Sequence, residues 1–500
     1  MNVILNITEL SSVNFTLRLI EKIKLDFNVD CFIIIVYRDE IKRKIIDIVD
    51  KDFNYKIFSQ SEISLGDNRE LRKDDIRKIQ DIENKYSRKT IWEYIYHDRY
   101  LLYKRSGFLY EKGTRFSRSK LILTVIKRFV FIENLFNKFR PDLVIYITQD
   151  FGTSISTILF EVSKQSETAL FIPVISKFKG LFSINNDIYG NWDLLKNRFE
   201  ENINNKQYLI KPVTKKILQD YIEKSEIAFY AKKQLPIPFT TKIIGKFKTF
   251  RNYIIKGYFG KNDYLHISLN KYVFDKCLMF FRKKNINRKK YFSSIAHLKE
   301  VDFVYFPLHV EPELVLLVQS QEYIDQIGVI RNISKNLPEN IQLFVKDHPA
   351  AKGRRKESFY KEISEIPNVV IMENNINSLD LIKTSIGVIT IIGSAGQEAF
   401  LYGKPVLTLS EAFYNFLPSV NKIKNYEEIS DFVSEFKNFV KNENEQLVFL
   451  QTLINNSVNV NLLELIENLN QNNLDSEVIK NEELYYDFLF SNIKNKIGDI

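Results

Sequence analysis

Two cysteines in 500 residues are too few, and Cys31 and Cys277 too far apart, for a disulfide framework or a cysteine metal cluster. No stretch reaches the ~18 uninterrupted apolar residues of a membrane-crossing helix. The most apolar runs, FIIIVY and GVITII, have the length of buried strands. The opening residues, MNVILNITELSS, lack both a basic start and a long apolar centre, so no secretory signal is expected. There is no GxxxxGKS or GxxxxGKT loop and no GxGxxG, which disfavours ATP hydrolysis and dinucleotide redox chemistry. Internal repeats and low-complexity tracts are missing as well. A reducing, cytoplasmic setting fits these absences.

The length exceeds what one hydrophobic core organises, so two domains are expected. With 45% apolar and 27% charged residues the chain is of ordinary globular composition. Its net charge of +10 is uneven. Residues 231–290 hold sixteen Lys and Arg against Asp263 and Asp275, whereas residues 441–500 hold four Lys against ten acidic residues.

Strand-like runs MNVILNI, CFIIIVY, DLVIYIT and ALFIPVI alternate with helical stretches in residues 1–230, which predicts a Rossmann-like α/β domain. Residues 60–120 read as a charged helical insertion. Residues 231–299 are basic and aromatic-rich and form an interdomain region with helices. Residues 300–440 give five strands alternating with four helices, a second Rossmann-like unit. Residues 441–500 form an acidic helical tail.

Ligands of open parallel sheets bind beyond the carboxyl ends of the strands. Three loops there carry unusual residues: HVEPE (309–313), KDHPAAKGRR (346–355) and GSAGQEA (393–399). Gly393 and Gly396 let the backbone turn and approach a ligand, Ser394 adds a hydroxyl, and the helix N-terminus after Ala395 presents free N–H groups to a phosphate. Glu398 is placed to accept from ribose hydroxyls, or simply to complement the helix dipole. His348 can donate to a phosphate oxygen, Pro349 fixes the adjacent backbone, and Lys346, Lys352, Arg354 and Arg355 add positive potential. Of these, Lys346 and His348 are the favoured donor-binding residues, Arg354 follows, and Arg355 reads as surface charge.

LFVKDHPAAKGRR, followed by TIIGSAGQEAFLYGKPVLTLSEAFY, resembles the capsule polysaccharide biosynthesis/export family, which includes transferases of 3-deoxy-D-manno-octulosonic acid (Kdo). PLHVEPE resembles that family's upstream proline-glutamate motif. The resemblance spans residues 301 to about 435 and touches the first 230 only at RPDLVIYITQDFG. It implies a GT-B architecture, two Rossmann-like domains with a cleft between them, and a metal-independent glycosyltransferase without cofactor. It further implies a CMP-activated acidic sugar as donor, with His348 and the Ser394 loop on the CMP phosphate and Glu398 helping to hold the nucleotide. Polyol-phosphate polymerases using CDP-glycerol share the His-Pro motif, but usually carry an Asp-Tyr-Ser-Ser-like loop where this chain has Ile-Gly-Ser-Ala. The catalytic base should be a carboxylate facing the cleft. Asp150, ending a strand of the first domain, is the first candidate, with a helix-capping role for Asp150 or Thr153 as the alternative. Glu311 and Glu313 are the reserves. Asp50-Lys51-Asp52 matches the DxD of metal-dependent transferases, but a three-residue match is weak and a solvated turn is the favoured reading.

The basic segment, within 241–290, interleaves cations with Phe and Tyr. It suits either a solvated helix face or a patch on the anionic inner face of the plasma membrane, where a lipid-linked glycan acceptor would lie. No motif supports nucleic acid. The rival to an enzyme is a non-catalytic export or scaffold protein with the same fold.

Overall fold

Burial along the whole length of Val3–Ile7 and Cys31–Val36 suits strands covered on both faces, the environment of a parallel sheet with flanking helices. In the computed structural model such strands build two sheets. The structure describes the chain except residues 50–53, 64, 87–89, 103–108, 110–112, 115, 177, 179, 225–268, 287–290, 295–300, 312, 314, 473 and 499–500. Asp50-Lys51-Asp52 and most of the basic segment therefore lie outside the described residues.

The first sheet contains β1 (Asn2–Ile7), β2 (Cys31–Val36), β3 (Tyr55–Ser59), β4 (Leu143–Tyr146), β5 (Ala169–Ile175) and β6 (Phe182–Asn185), in the order β3-β2-β1-β4-β5-β6. All neighbours are parallel except β5 and β6. The second sheet contains β7 (Phe292–Ser293), β8 (Phe303–Pro307), β9 (Gln342–Lys346), β10 (Val369–Met372), β11 (Gly387–Thr390), β12 (Val406–Thr408) and β13 (Val420–Lys422). Its order is β13-β12-β11-β8-β9-β10-β7, and every pairing is parallel. The expected pair of Rossmann-like domains is thus present, with four short strands, β3, β6, β7 and β13, beyond those the sequence predicts.

The first sheet winds outward in both directions from β1, and the second from β8, with β7 added at its edge. The switch points fall between β1 and β4 and between β8 and β11. Loops at a switch point leave to opposite faces and open a crevice. In the first sheet the crevice edge is closed by Thr8 and Thr148, whose hydroxyls lie 2.6 Å apart.

The domain boundaries differ from those expected. Trp192, Leu195 and Phe199 of the helix Asp193–Asn204 and its entry, with Leu218 and Tyr221 of Pro212–Lys224, pack into the second core rather than the first. Ring contacts tie them there: Phe199 to Phe416 at 5.3 Å and Tyr221 to Tyr402 at 5.5 Å between centroids. The acidic tail divides as well. Its helix Glu443–Asn455 joins the second core, while Leu462–Asn470 and Ser476–Ile497 return to the first. Tyr485 seals that return between Phe15 and Phe182, at 5.1 and 4.8 Å, and Glu482 takes two hydrogen bonds from Arg18. Apolar pattern alone marked these segments as helical; their choice of core depends on which sheet face they meet.

Candidate functional site

The site is built where β8 and β11 part. The loop after β8 is fixed first by its backbone. His309 N–H donates to Gln326 Oε1 at 2.8 Å, and Gln326 Nε2 donates back to the His309 carbonyl at 3.1 Å and to Glu311. Arg355 then clamps the loop: its guanidinium reaches the His309 carbonyl at 2.6 Å, Glu311 Oε1 at 2.9 Å and Asp347 Oδ1 at 3.3 Å. Tyr360 donates to the other Asp347 oxygen at 2.6 Å, and the Phe359 ring lies 4.2 Å under the guanidinium. A planar fork of donors suits three acceptors in this way, where a lysine would satisfy one.

Arg355, expected as surface charge, is therefore a buried strut, its side chain 2% exposed. Glu311, a reserve catalytic carboxylate, is likewise buried and committed to Arg355 and Gln326. Its carboxylate holds the loop instead of facing a cleft.

His348 stands on the β9 loop at the start of a short turn, Pro349–Ala351, its backbone N–H bound to Asp347 Oδ1 at 2.8 Å. Its Nδ1 accepts from Ala350 N–H at 3.1 Å, which assigns the proton of the neutral ring to Nε2. His348 caps this turn, and Pro349 takes its first position, where a fixed φ is pre-organised. Beyond it, Gly353 has φ +84, and a Cβ there would meet the Met279 carbonyl at 2.7 Å. The β9 loop thus rests against the helix Leu269–Ile286, where Arg282 donates to the Arg354 carbonyl at 3.1 Å.

Lys346 is turned elsewhere: buried, it donates to Ser378 Oγ at 3.2 Å, at the loop after β10, and burial pushes its ammonium below the ordinary lysine range. Half-buried Arg354 keeps an Nε with no hydrogen-bond partner among the described residues.

On the other side of β8, the helix Ser394–Leu401 begins at Gly393, with φ −69, an ordinary value for any residue. The glycines serve space rather than turning. A Cβ on Gly393 would stand 2.9 Å from Thr390 Oγ1 and 3.2 Å from His309 Nε2. A Cβ on Gly396 would strike the Tyr414 hydroxyl, which donates to the Gly393 carbonyl at 2.6 Å. Tyr414 thereby fixes the helix start. Ser394 is half-exposed at the helix mouth, Ala395 is buried behind it, and Glu398 is 8% exposed; burial first, and then the Glu398 charge, raise the Tyr414 phenol.

Asp150 lies at the first sheet's switch point, paired with Arg99 and accepting from Gly152 N–H at 3.1 Å. Thr153 is the N-cap residue of the following helix but its side chain makes no capping bond, so neither residue plays the expected capping role. Next to Arg99, Asp98 and Arg128 form a buried pair at 2.6 Å.

Residue reasoning named the HVEPE loop but not His309 itself. The structure makes it the ring between the two loops. It is 8% exposed, and burial first, then His348 and Arg355, lower its pKa to about 4. The unfolded ring titrates near 6.5. The folded form therefore binds fewer protons between those values, and stability must fall as pH drops from about 6.5 to 4, by about 3 kcal/mol in all. Acid titration of the unfolding free energy should show this loss, and His309→Gln should flatten that part of the curve; equal slopes in both proteins would refute the assignment.

Residues 262–422 match the family model described as capsule polysaccharide biosynthesis protein. Protein FixF of Sinorhizobium fredii is 31% identical over 116 residues, which cover 23% of this chain and 27% of FixF. The match thus spans about a quarter of that curated relative. Among solved structures, the β-Kdo 2,4 transferase of KpsC from Thermosulfurimonas dismutans aligns over 62% of this chain and 79% of its own, at 12% identity and a TM-score of 0.35. The UDP-GlcNAc 2-epimerase of Neisseria meningitidis, bound to UDP-GlcNAc, aligns over 94% and 98%, at 11% identity and 0.27. Such scores carry no activity from one protein to another. The segment that holds β8 to β13 and both loops of the site lies within the residues that match the capsule polysaccharide biosynthesis protein model.

Proposed function

We propose that the chain is a GT-B-type glycosyltransferase of surface polysaccharide synthesis, moving an acidic sugar, Kdo or a relative, from a CMP donor to a lipid-linked glycan. The observation that carries this reading is the convergence of His348, His309 and the Gly393–Ser394 helix start at the second sheet's switch point, inside the family-matched segment. In this reading the helix N-terminus and His348 Nε2–H take the charge of the leaving CMP phosphate. Asp150, its orientation fixed by Arg99, is the base that accepts the acceptor hydroxyl proton.

The test is transfer and donor hydrolysis with CMP-Kdo. His348→Ala should lower turnover by about a hundredfold or more, the scale of one lost oxyanion-type donor, with an unchanged melting temperature. Undiminished turnover would refute the site, and absence of turnover together with absence of CMP binding in the native protein would favour the scaffold reading.

The same proposal puts the protein at an anionic membrane face. The described end of the basic segment, the helix Leu269–Ile286, exposes Phe280 and Phe281 at 64% and 59% beside Arg282, Lys283 and Lys284. No helix among the described residues is long and apolar enough to cross a membrane. Vesicles of anionic lipid should co-sediment with the protein, and a Phe280→Ser, Phe281→Ser double variant should bind several-fold less; equal binding to neutral vesicles would count against it.

A further inference from the structure

A buried donor without a partner is rare in folded proteins, and a ligand is one of the few physical reasons for one. His309 is such a group: its Nδ1 and Nε2 are both buried and make no hydrogen bond among the described residues. Its position is not loose. The backbone N–H is held by Gln326, and the carbonyl receives Gln326 and Arg355. The ring therefore has a fixed origin, and its Nε2 is the edge turned to the helix N-cap, 3.2 Å from the point a Gly393 Cβ would occupy.

We propose, resting on the donor reading above, that His309 directly contacts the nucleotide phosphate bound at the start of the helix Ser394–Leu401, donating one hydrogen bond to a phosphate oxygen. Two features of the surroundings suit this role. Gly393 carries no side chain at the one place where a Cβ would crowd the imidazole and Thr390. The groups acting on the ring are His348 and Arg355, and burial together with both keeps it neutral at physiological pH. A neutral ring has one N–H and one lone pair, so it adds direction to the site without adding charge. The helix N-terminus supplies the positive potential and His348 a second N–H; His309 selects where the phosphate oxygen sits. The charge of Arg355 is spent on Glu311 and Asp347. The sequence signal is an imidazole two residues beyond an apolar strand, at a switch point.

Calorimetric titration of the full chain with CMP tests this, with cytidine competing against CMP as the phosphate-free control. His309→Leu should lose CMP affinity by about tenfold or more, the value of a hydrogen bond to a charged group, while cytidine competes as it does in the native protein. His309→Gln, which restores a neutral N–H donor, should recover most of the loss; a purely structural role would not sort the two variants this way. If His309→Leu fails to fold, His309→Ala, which also lacks a donor, gives the same comparison. The inference is overturned if the variant lacking the ring binds CMP as tightly as the native protein. Should His348→Ala lose CMP in that case, the donor reading stands and only the role of His309 falls. Native protein that binds neither CMP, UMP nor GMP overturns both.

Discussion

Arg355→Met should destabilise the second domain by about 3–5 kcal/mol, a change readable in urea unfolding. The side chain is 2% exposed and its two carboxylate partners, Glu311 and Asp347, are 5% and 0% exposed. Methionine replaces the volume of the stem but leaves two carboxylates buried in the same loop pair without their cation. Asp347 keeps Tyr360 and the His348 N–H, and Glu311 keeps Gln326, so the damage is partial at each oxygen and large in sum. Arg355→Lys should recover little, because one ammonium cannot reach the His309 carbonyl, Glu311 and Asp347 together. Adding Glu311→Gln to Arg355→Met should regain part of the loss, since it removes one stranded charge. A destabilisation below about 1 kcal/mol for the single variant would show that the loops have another anchor.

Arg128→Met should cost the first domain a similar amount, about 3–5 kcal/mol, by stranding Asp98. Asp98 is completely buried and gathers backbone as well as charge: its Oδ1 accepts from Tyr100 N–H at 2.9 Å and Leu101 N–H at 3.2 Å, and its Oδ2 from Ser154 N–H at 3.2 Å. One carboxylate thus joins the Arg99 turn to the start of the helix Ser154–Gln165, the two segments that carry the Arg99–Asp150 pair. Asp98→Asn keeps one acceptor oxygen and should be milder than Arg128→Met. If the order were reversed, the backbone bonds rather than the charge pair would hold the turn. Differential unfolding of the two variants decides between them.

Strands with long apolar runs were legible because burial on both faces leaves few polar positions: β1, β2, β4, β5 and the five central strands from β8 to β12 all stand where such runs predict. β3, with three of its five residues partly or fully exposed, and the three- and four-residue β13 and β6 lack that signature. Placing the site beyond the strand ends was also legible, since it follows from parallel topology. Sheet order was not. In the sheet β8 lies between β9 and β11, which puts His309 between the His348 and Ser394 loops. Arg355 defeated sequence reading for a related reason: in KGRR nothing local tells Arg354 from Arg355, and only the fold turns one inward onto Glu311, 44 positions away.

The return of the tail to the first core sets a limit on the order in which the molecule can be finished. Tyr485, Tyr486, Leu489, Phe490 and Ile493 cover strands made from the first 185 residues, yet they leave the ribosome after the whole second sheet. At ~5–20 residues per second, the apolar face around Phe15 and Phe182 stays open for tens of seconds during synthesis. The nascent first domain is thus an apolar surface that waits for its own last helix while the second sheet is being made.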